Sequence, residues 1–251
     1  MEGIPQILVA VVPIYCLMVV GGGLRRARVL GPQMDDGLTK LVIHVLYPAL
    51  ILDKVLRAEL LRDFSVVAWA IIVGFAVIVI GLMVALLIGR VIGLRKGTGW
   101  RSFTLTAGVQ NYGYVAIPLL MVFFPENEAA VLGVLFTHSL GVELGIWTLG
   151  MFILRGEPMK SPREFISGPM VAVVIGLLMV LARVDTLVGY SKVTQFAFEI
   201  FLNLLHWLGL AAFPVGLLLI GTVISDVLGK ERYSLRIGVG SILVRMIMMP
   251  M

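Results

Sequence analysis

The chain has 251 residues, of which 59% are hydrophobic and 14% charged, against about 45–50% and about 25% in soluble domains. With a mean hydropathy of +1.03, its apolar residues cannot fit one buried core; they recur in runs long enough to cross about 30 Å of hydrocarbon, which excludes a water-soluble globular protein. The formal net charge of +5 does not point to nucleic acid, because the Lys and Arg residues sit in short loops without interleaved aromatics, the pattern of cytoplasmic loops in membrane proteins.

Eight apolar segments follow in chain order, at about 5–23, 40–56, 66–89, 103–123, 129–154, 168–184, 200–225 and from 234 onward. Segment one starts directly after Met1-Glu2-Gly3 and has Arg25, Arg26 and Arg28 behind it. A cleavable signal peptide has the opposite polarity, so this segment reads as a mature span. Its Cys16 is the only cysteine, which excludes an intrachain disulfide and reads as packing. The loops after segments one, three, five and seven hold 14 cationic residues: Arg25, Arg26, Arg28, Lys40, Arg90, Arg95, Lys96, Arg101, Arg155, Lys160, Arg163, Lys230, Arg232 and Arg236. The loops after segments two, four and six hold five, namely Lys54, Arg57, Arg62, Arg183 and Lys192, while Arg245 lies inside segment eight. This asymmetry predicts odd loops in the cytoplasm and the N-terminus outside.

Segments two and seven carry a matching hexapeptide. Tyr47-Pro48-Ala49-Leu50-Ile51-Leu52 and Phe213-Pro214-Val215-Gly216-Leu217-Leu218 share an aromatic-Pro-x-x-aliphatic-Leu pattern at an offset of 166 residues. The same offset lays segment one on segment six and segment three on segment eight, so the repeat unit would be five spans. An odd number of spans makes the second copy enter from the opposite side, giving an inverted repeat. Domain boundaries are then 1–155 for the first repeat, with spans one and two as scaffold and three to five as transport unit, and 156–251 for spans six to eight of the second. Segment eight reaches Pro250-Met251 without a polar flank. A complete second copy would add two spans, to roughly 310–320 residues, with the partner of segment four near about position 284.

Segment four is the most informative stretch. Gly108, Gln110, Asn111, Tyr112, Gly113, Tyr114 and Pro118 interrupt an otherwise apolar span. Proline removes a backbone donor and clashes with the preceding turn, and glycine lowers the cost of irregular backbone. The segment therefore predicts a broken helix, which at membrane depth must be buried in protein or line a wet cavity. Segment five carries His138, Ser139 and Glu143. An ionisable group near mid-span costs about 2.5–3.5 kcal/mol by insertion scales. Two readings of Glu143 stand: proton coupling through a desolvated carboxyl, or a structural pair with His138 or Arg245. His44, Asn203 and His206 read as hydrogen-bonded packing residues. No metal or cofactor motif and no nucleotide-binding motif occurs.

Asn111-Tyr112-Gly113-Tyr114-Val115-Ala116-Ile117-Pro118-Leu119 resembles the Asn-x-Gly-x-x-x-Ile-Pro-Leu signature of the auxin efflux carrier family, which includes bacterial malonate and malate carriers and plant PIN-type carriers. The stretch Leu41 to Leu50 resembles its second span, and Gly22-Gly23-Leu24-Arg25-Arg26 its first loop. The resemblance implies an all-α integral membrane protein of inverted five-helix repeats with a broken crossover helix, as in bile-acid symporters and sodium/proton antiporters. It also implies a secondary carrier for small organic anions in a plasma or cytoplasmic membrane, without cofactor or enzymatic activity. Asn111 would contact the substrate carboxylate and Pro118 would mark the crossover, with Tyr112, Gly113 and His138 beside them and Glu143 as the ion- or proton-coupling candidate. The lipid bilayer and the organic anion are the expected partners, with a homodimer as an open assembly state. A sodium-coupled bile-acid-symporter-like carrier is the alternative; its oxygen ligands would have to come from Gln110, Asn111 and Glu143. A membrane-embedded enzyme using His138 and Glu143 lacks a nucleophile with a positioned base.

Overall fold

The structure, a computed structural model, describes residues 3–95, 97, 99–111, 113–156, 166–228 and 234–249, the side chains of 3 and 4 excepted. Among them every regular element is helical. Hydrocarbon dictates that result, because a helix satisfies its own backbone donors and acceptors where no water can.

Segment one is α1 (Gly3–Arg26). Segment two is α2 (Pro32–Leu41) and α3 (Tyr47–Arg57), joined by a π turn at Val42–Leu46. Pro48 explains the joint: its ring would clash with the carbonyl four residues back, and the wider turn lets Tyr47 N–H donate to the Val42 carbonyl instead. Segment three is α4 (Phe64–Val91), preceded by Asp63, whose Oδ1 accepts the Ser65 hydroxyl and the Ser65 N–H, both at 2.8 Å. These bonds, the hydroxyl's first, hold the exposed Asp63 carboxyl below its ordinary range. Segment four is α5 (Trp100–Gly108) and α6 (Ala116–Phe123). Segment five is α7 (Glu128–Gly145), a π turn at Ile146–Gly150 and α8 (Met151–Arg155).

Segment six departs from its expected 168–184. The helix α9 (Gly168–Leu181) has 14 residues, fewer than the about 20 of a full span, and ends where Arg183 takes a left-handed φ of 52°. After the short α10 (Val184–Val188), α11 (Lys192–Val227) runs for 36 residues, well beyond the expected 200–225. Ser191 starts it early, its hydroxyl accepting from Val193 N–H at 3.3 Å. Segment eight is α12 (Leu235–Ile242) followed by a π turn at Leu243–Met248. Among the described residues, four stretches are long and apolar enough to cross a membrane on length and composition: Pro5–Arg26, Phe64–Val91, Pro125–Arg155 and Lys192–Val227.

The chain forms two compact units. The first comprises Met1–Val67, Tyr112–Thr137 and Ser167–Lys230. Within it α1 lies along α11, and α3 packs against both α9 and α11. The α1–α11 contact is backbone on backbone: a Cβ at Gly21 would overlap the Leu218 carbonyl, and one at Gly221 the Met18 carbonyl. At one end of this seam Arg25 bonds Asp35, donates to Asp226 at 2.9 Å and to the Leu30 carbonyl at 2.8 Å. The second unit comprises Ala68–Asn111, His138–Ile166 and Glu231–Met251. Its core gathers Ala85, Phe103, Ala107 and Val244, with α5 packed on α8 and α12. There α4 and α7 meet at Gly74, facing the His138 carbonyl, and at Gly141, facing the Ile71 carbonyl.

Candidate functional site

The expected interruption of segment four lies between Gly108 and Ala116. On its near side Val109 N–H still donates to the Leu105 carbonyl at 3.1 Å; on its far side Ile117 N–H donates to the Gly113 carbonyl at 2.9 Å. Pro118, third residue of α6, has no N–H to offer the Tyr114 carbonyl, so the helix cannot be continued backward through the motif in the ordinary way. The last carbonyls of α5 acquire an outside donor: Arg245 Nη2 bonds the Thr106 carbonyl and donates to the Val109 carbonyl at 2.9 Å. A cation at a helix C-terminus also complements its dipole. Gly108 and Gly81 let α5 and α4 approach at backbone distance just before the break.

Asn111 is exposed and belongs, with His138 and Glu143, to the second unit. Beside it, Gln110 Nε2 is buried and makes no hydrogen bond among the described residues. Tyr112 lies outside the described residues. Gly113 and Pro118, both half-buried, fall in the first unit. His138 and Glu143 share α7, but five positions turn them about 140° apart around the helix. His138 Nδ1 is buried without a hydrogen bond among the described residues. Arg245, one partner considered for Glu143, binds the α5 carbonyls instead and has no carboxylate within ion-pair distance among the described residues.

The first unit contains a charged constellation that the sequence reading missed. Asp53, only 1% exposed, accepts from Arg57 Nε at 2.8 Å, pairs with Lys54 Nζ at 3.1 Å and meets His206 Nδ1 at 3.1 Å. Lys54 Nζ extends the chain to Glu128 Oε1 at 2.9 Å. The cluster thus ties α3 to the starts of α7 and, through His206, to α11. Asp53, Lys54, Glu128 and His206 line a cavity of about 190 Å³ whose other walls include Pro118, Phe213 and Pro214. Two carboxylates facing Lys54 and Arg57 balance in charge, so the cluster is suited to clamping three segments together. Its sequence signal was faint: Asp53 and Arg57 stand four apart, a spacing that pairs on one helix face, but Glu128, 74 positions from Lys54, and His206, 153 positions from Asp53, carry no local mark.

A ring cluster joins the two copies of the repeated hexapeptide. Tyr114 packs edge-on to Tyr47 at 6.0 Å between centroids and against Phe213 at 5.8 Å. Tyr47 and Phe213 are the residues separated by the 166-residue offset, and both meet the same side chain of the segment-four motif.

Helices long and apolar enough to cross a membrane, with segment four interrupted by polar residues, are the features of a multi-pass membrane protein. A family model described as membrane transport protein matches residues 6–165, well over half of the chain and all of the first five apolar segments. The chain belongs to this family, that of the auxin efflux carriers. No curated protein matches it.

Proposed function

We propose that the protein is a secondary carrier for small organic anions, working by alternating access in which one group of segments moves against another. The observation that carries this reading is the break between α5 and α6, where Asn111 follows a helix terminus in the middle of an apolar segment. Irregular backbone at membrane depth serves a substrate path better than a packing role, because each unsatisfied group costs several kcal/mol in hydrocarbon. Asn111 is the proposed carboxylate contact, and Glu143 the proposed proton carrier. The division of labour is supported by segments one, two, six and seven sharing one unit while segments three and eight share the other. An outside N-terminus is supported by the loop charges, and by the clustering of residues from even-loop ends, Asp53, Lys54 and Glu128, apart from the odd-loop cluster of Arg25, Asp35 and Asp226.

The test is flux in proteoliposomes with malonate, malate and indole-3-acetate. The wild type should move at least one of them, and Asn111→Ala should lose that flux by tenfold or more, on the order of one charge-assisted hydrogen bond. Silence of the wild type with every mono- and dicarboxylate, under either gradient, would overturn the reading. In the same vesicles Glu143→Gln should abolish the response to a pH gradient and leave substrate binding; an unchanged pH response rejects that role.

A further inference from the structure

We infer that Arg245 supplies the fixed positive charge that recognises the carboxylate of the transported anion, beside Asn111; this rests on the carrier reading above. Arg245 lies well inside the last apolar segment, whereas Lys40, Lys54 and Arg183 fall at or near the ends of theirs. It lies ten residues after Leu235, about 15 Å along the helix and so about halfway through the hydrocarbon. Asn111 lies eleven residues after Trp100, at a similar depth along a segment that also follows an odd loop. A guanidinium at that depth is costly and is retained where it binds something.

The geometry brings the two together within one unit. Arg245 Nη2 is fastened to the Thr106 and Val109 carbonyls, and Val109 is two residues from Asn111, at most about 7 Å of chain. Backbone carbonyls orient the guanidinium without neutralising it, and no carboxylate pairs with it among the described residues. Nε and Nη1 make no hydrogen bond among the described residues, and the side chain is exposed. The residue sits on the π turn Leu243–Met248, a deviation from regular helix that recurs at functional sites. Gln110 Nε2, buried and without a hydrogen-bond partner among the described residues, is a second donor at the same end of α5. Among the described residues Arg245 is a held cation without a carboxylate partner, with spare donors, beside an exposed amide, and that is the chemistry of a carboxylate site.

A purely structural cap and an anion-binding charge separate by substitution. Gln at this position keeps an N–H₂ group for the α5 carbonyls and removes the charge; Lys keeps the charge. In proteoliposomes with radiolabelled malonate, malate and indole-3-acetate, Arg245→Gln should raise KM about tenfold or more, while its thermal unfolding in detergent stays near wild type. Arg245→Lys should recover a large part of the affinity. A wild-type KM in a folded Arg245→Gln protein overturns the inference and leaves the carrier reading standing. If Arg245→Gln fails to fold, Arg245→Lys decides: an anion KM raised no less than for Asn111→Ala, in a protein of normal stability, also overturns it. A wild type that transports none of the three anions removes both.

Discussion

Asp53 shows how unevenly one short helix distributes its charges. Its carboxylate is 1% exposed and holds Lys54, Arg57 and His206, whereas the Arg57 side chain is 40% exposed. Removing one member of a buried ion cluster leaves its partners uncompensated, at about 3–5 kcal/mol, while an exposed partner contributes about 0–1 kcal/mol. Asp53→Ala should therefore lower the unfolding temperature in detergent far more than Arg57→Ala, and Asp53→Ala combined with Lys54→Met should regain part of the loss. Equal shifts for the two single variants would show that the cluster does not hold the segments. At this scale the sequence was partly legible. Asn111 and Pro118 stood out because polar and helix-breaking residues are rare in an apolar run. Lys54 was read as a loop charge because its partners, Glu128 and His206, come from segments five and seven and leave no local periodicity.

Elements were legible where backbone chemistry acts locally. The interruption of segment four followed from glycine and proline, and the structure places it between Gly108 and Ala116. The π turns after Gly145 and after Ile242 were not legible, since no proline or other local mark announces them, whereas the one before Tyr47 has its local cause in Pro48. Neither was the length of α11, because the residues before 200 are polar enough to read as loop. The glycines of the α1–α11 seam show how helices reach backbone distance. A methyl at Gly21 would strike the Leu218 carbonyl, whereas Gly23 has open space around its Cβ position. Gly21→Ala should cost about 1–3 kcal/mol by overpacking, and Gly23→Ala should be neutral or slightly stabilising through helix propensity. Thermal unfolding of the two variants in one detergent checks this, and equal behaviour would mean that the helices part freely.

For the whole molecule, the counting of Lys and Arg leads to a topology that chemical labelling can examine. With Cys16 replaced by Ala, Ser191→Cys, exposed between α10 and α11, should react in intact cells with a membrane-impermeant maleimide. Gln33→Cys, exposed near the start of α2, should react only after permeabilisation. The reverse pattern would invert the orientation. The membrane class was legible from composition alone, because solvent chemistry acts on every residue. The grouping of segments into two units was harder to read, since its boundaries fall at Val67/Ala68 within α4 and at Thr137/His138 within α7, where no turn residue marks them.

The seam between α1 and α11 has a further consequence. Contacts made by side chains cost rotamer freedom, about 0.5–1 kcal/mol for each ordered Leu or Ile; carbonyl-to-glycine contacts at Gly21 and Gly221 have no rotamers to lose. The seam therefore spares side-chain entropy, although each of its glycines gives up more backbone freedom than an alanine would, about 0.5–1 kcal/mol. Such a pair of helices is held by the fit of backbone to backbone, which a single methyl group added at Gly21 or Gly221 would open.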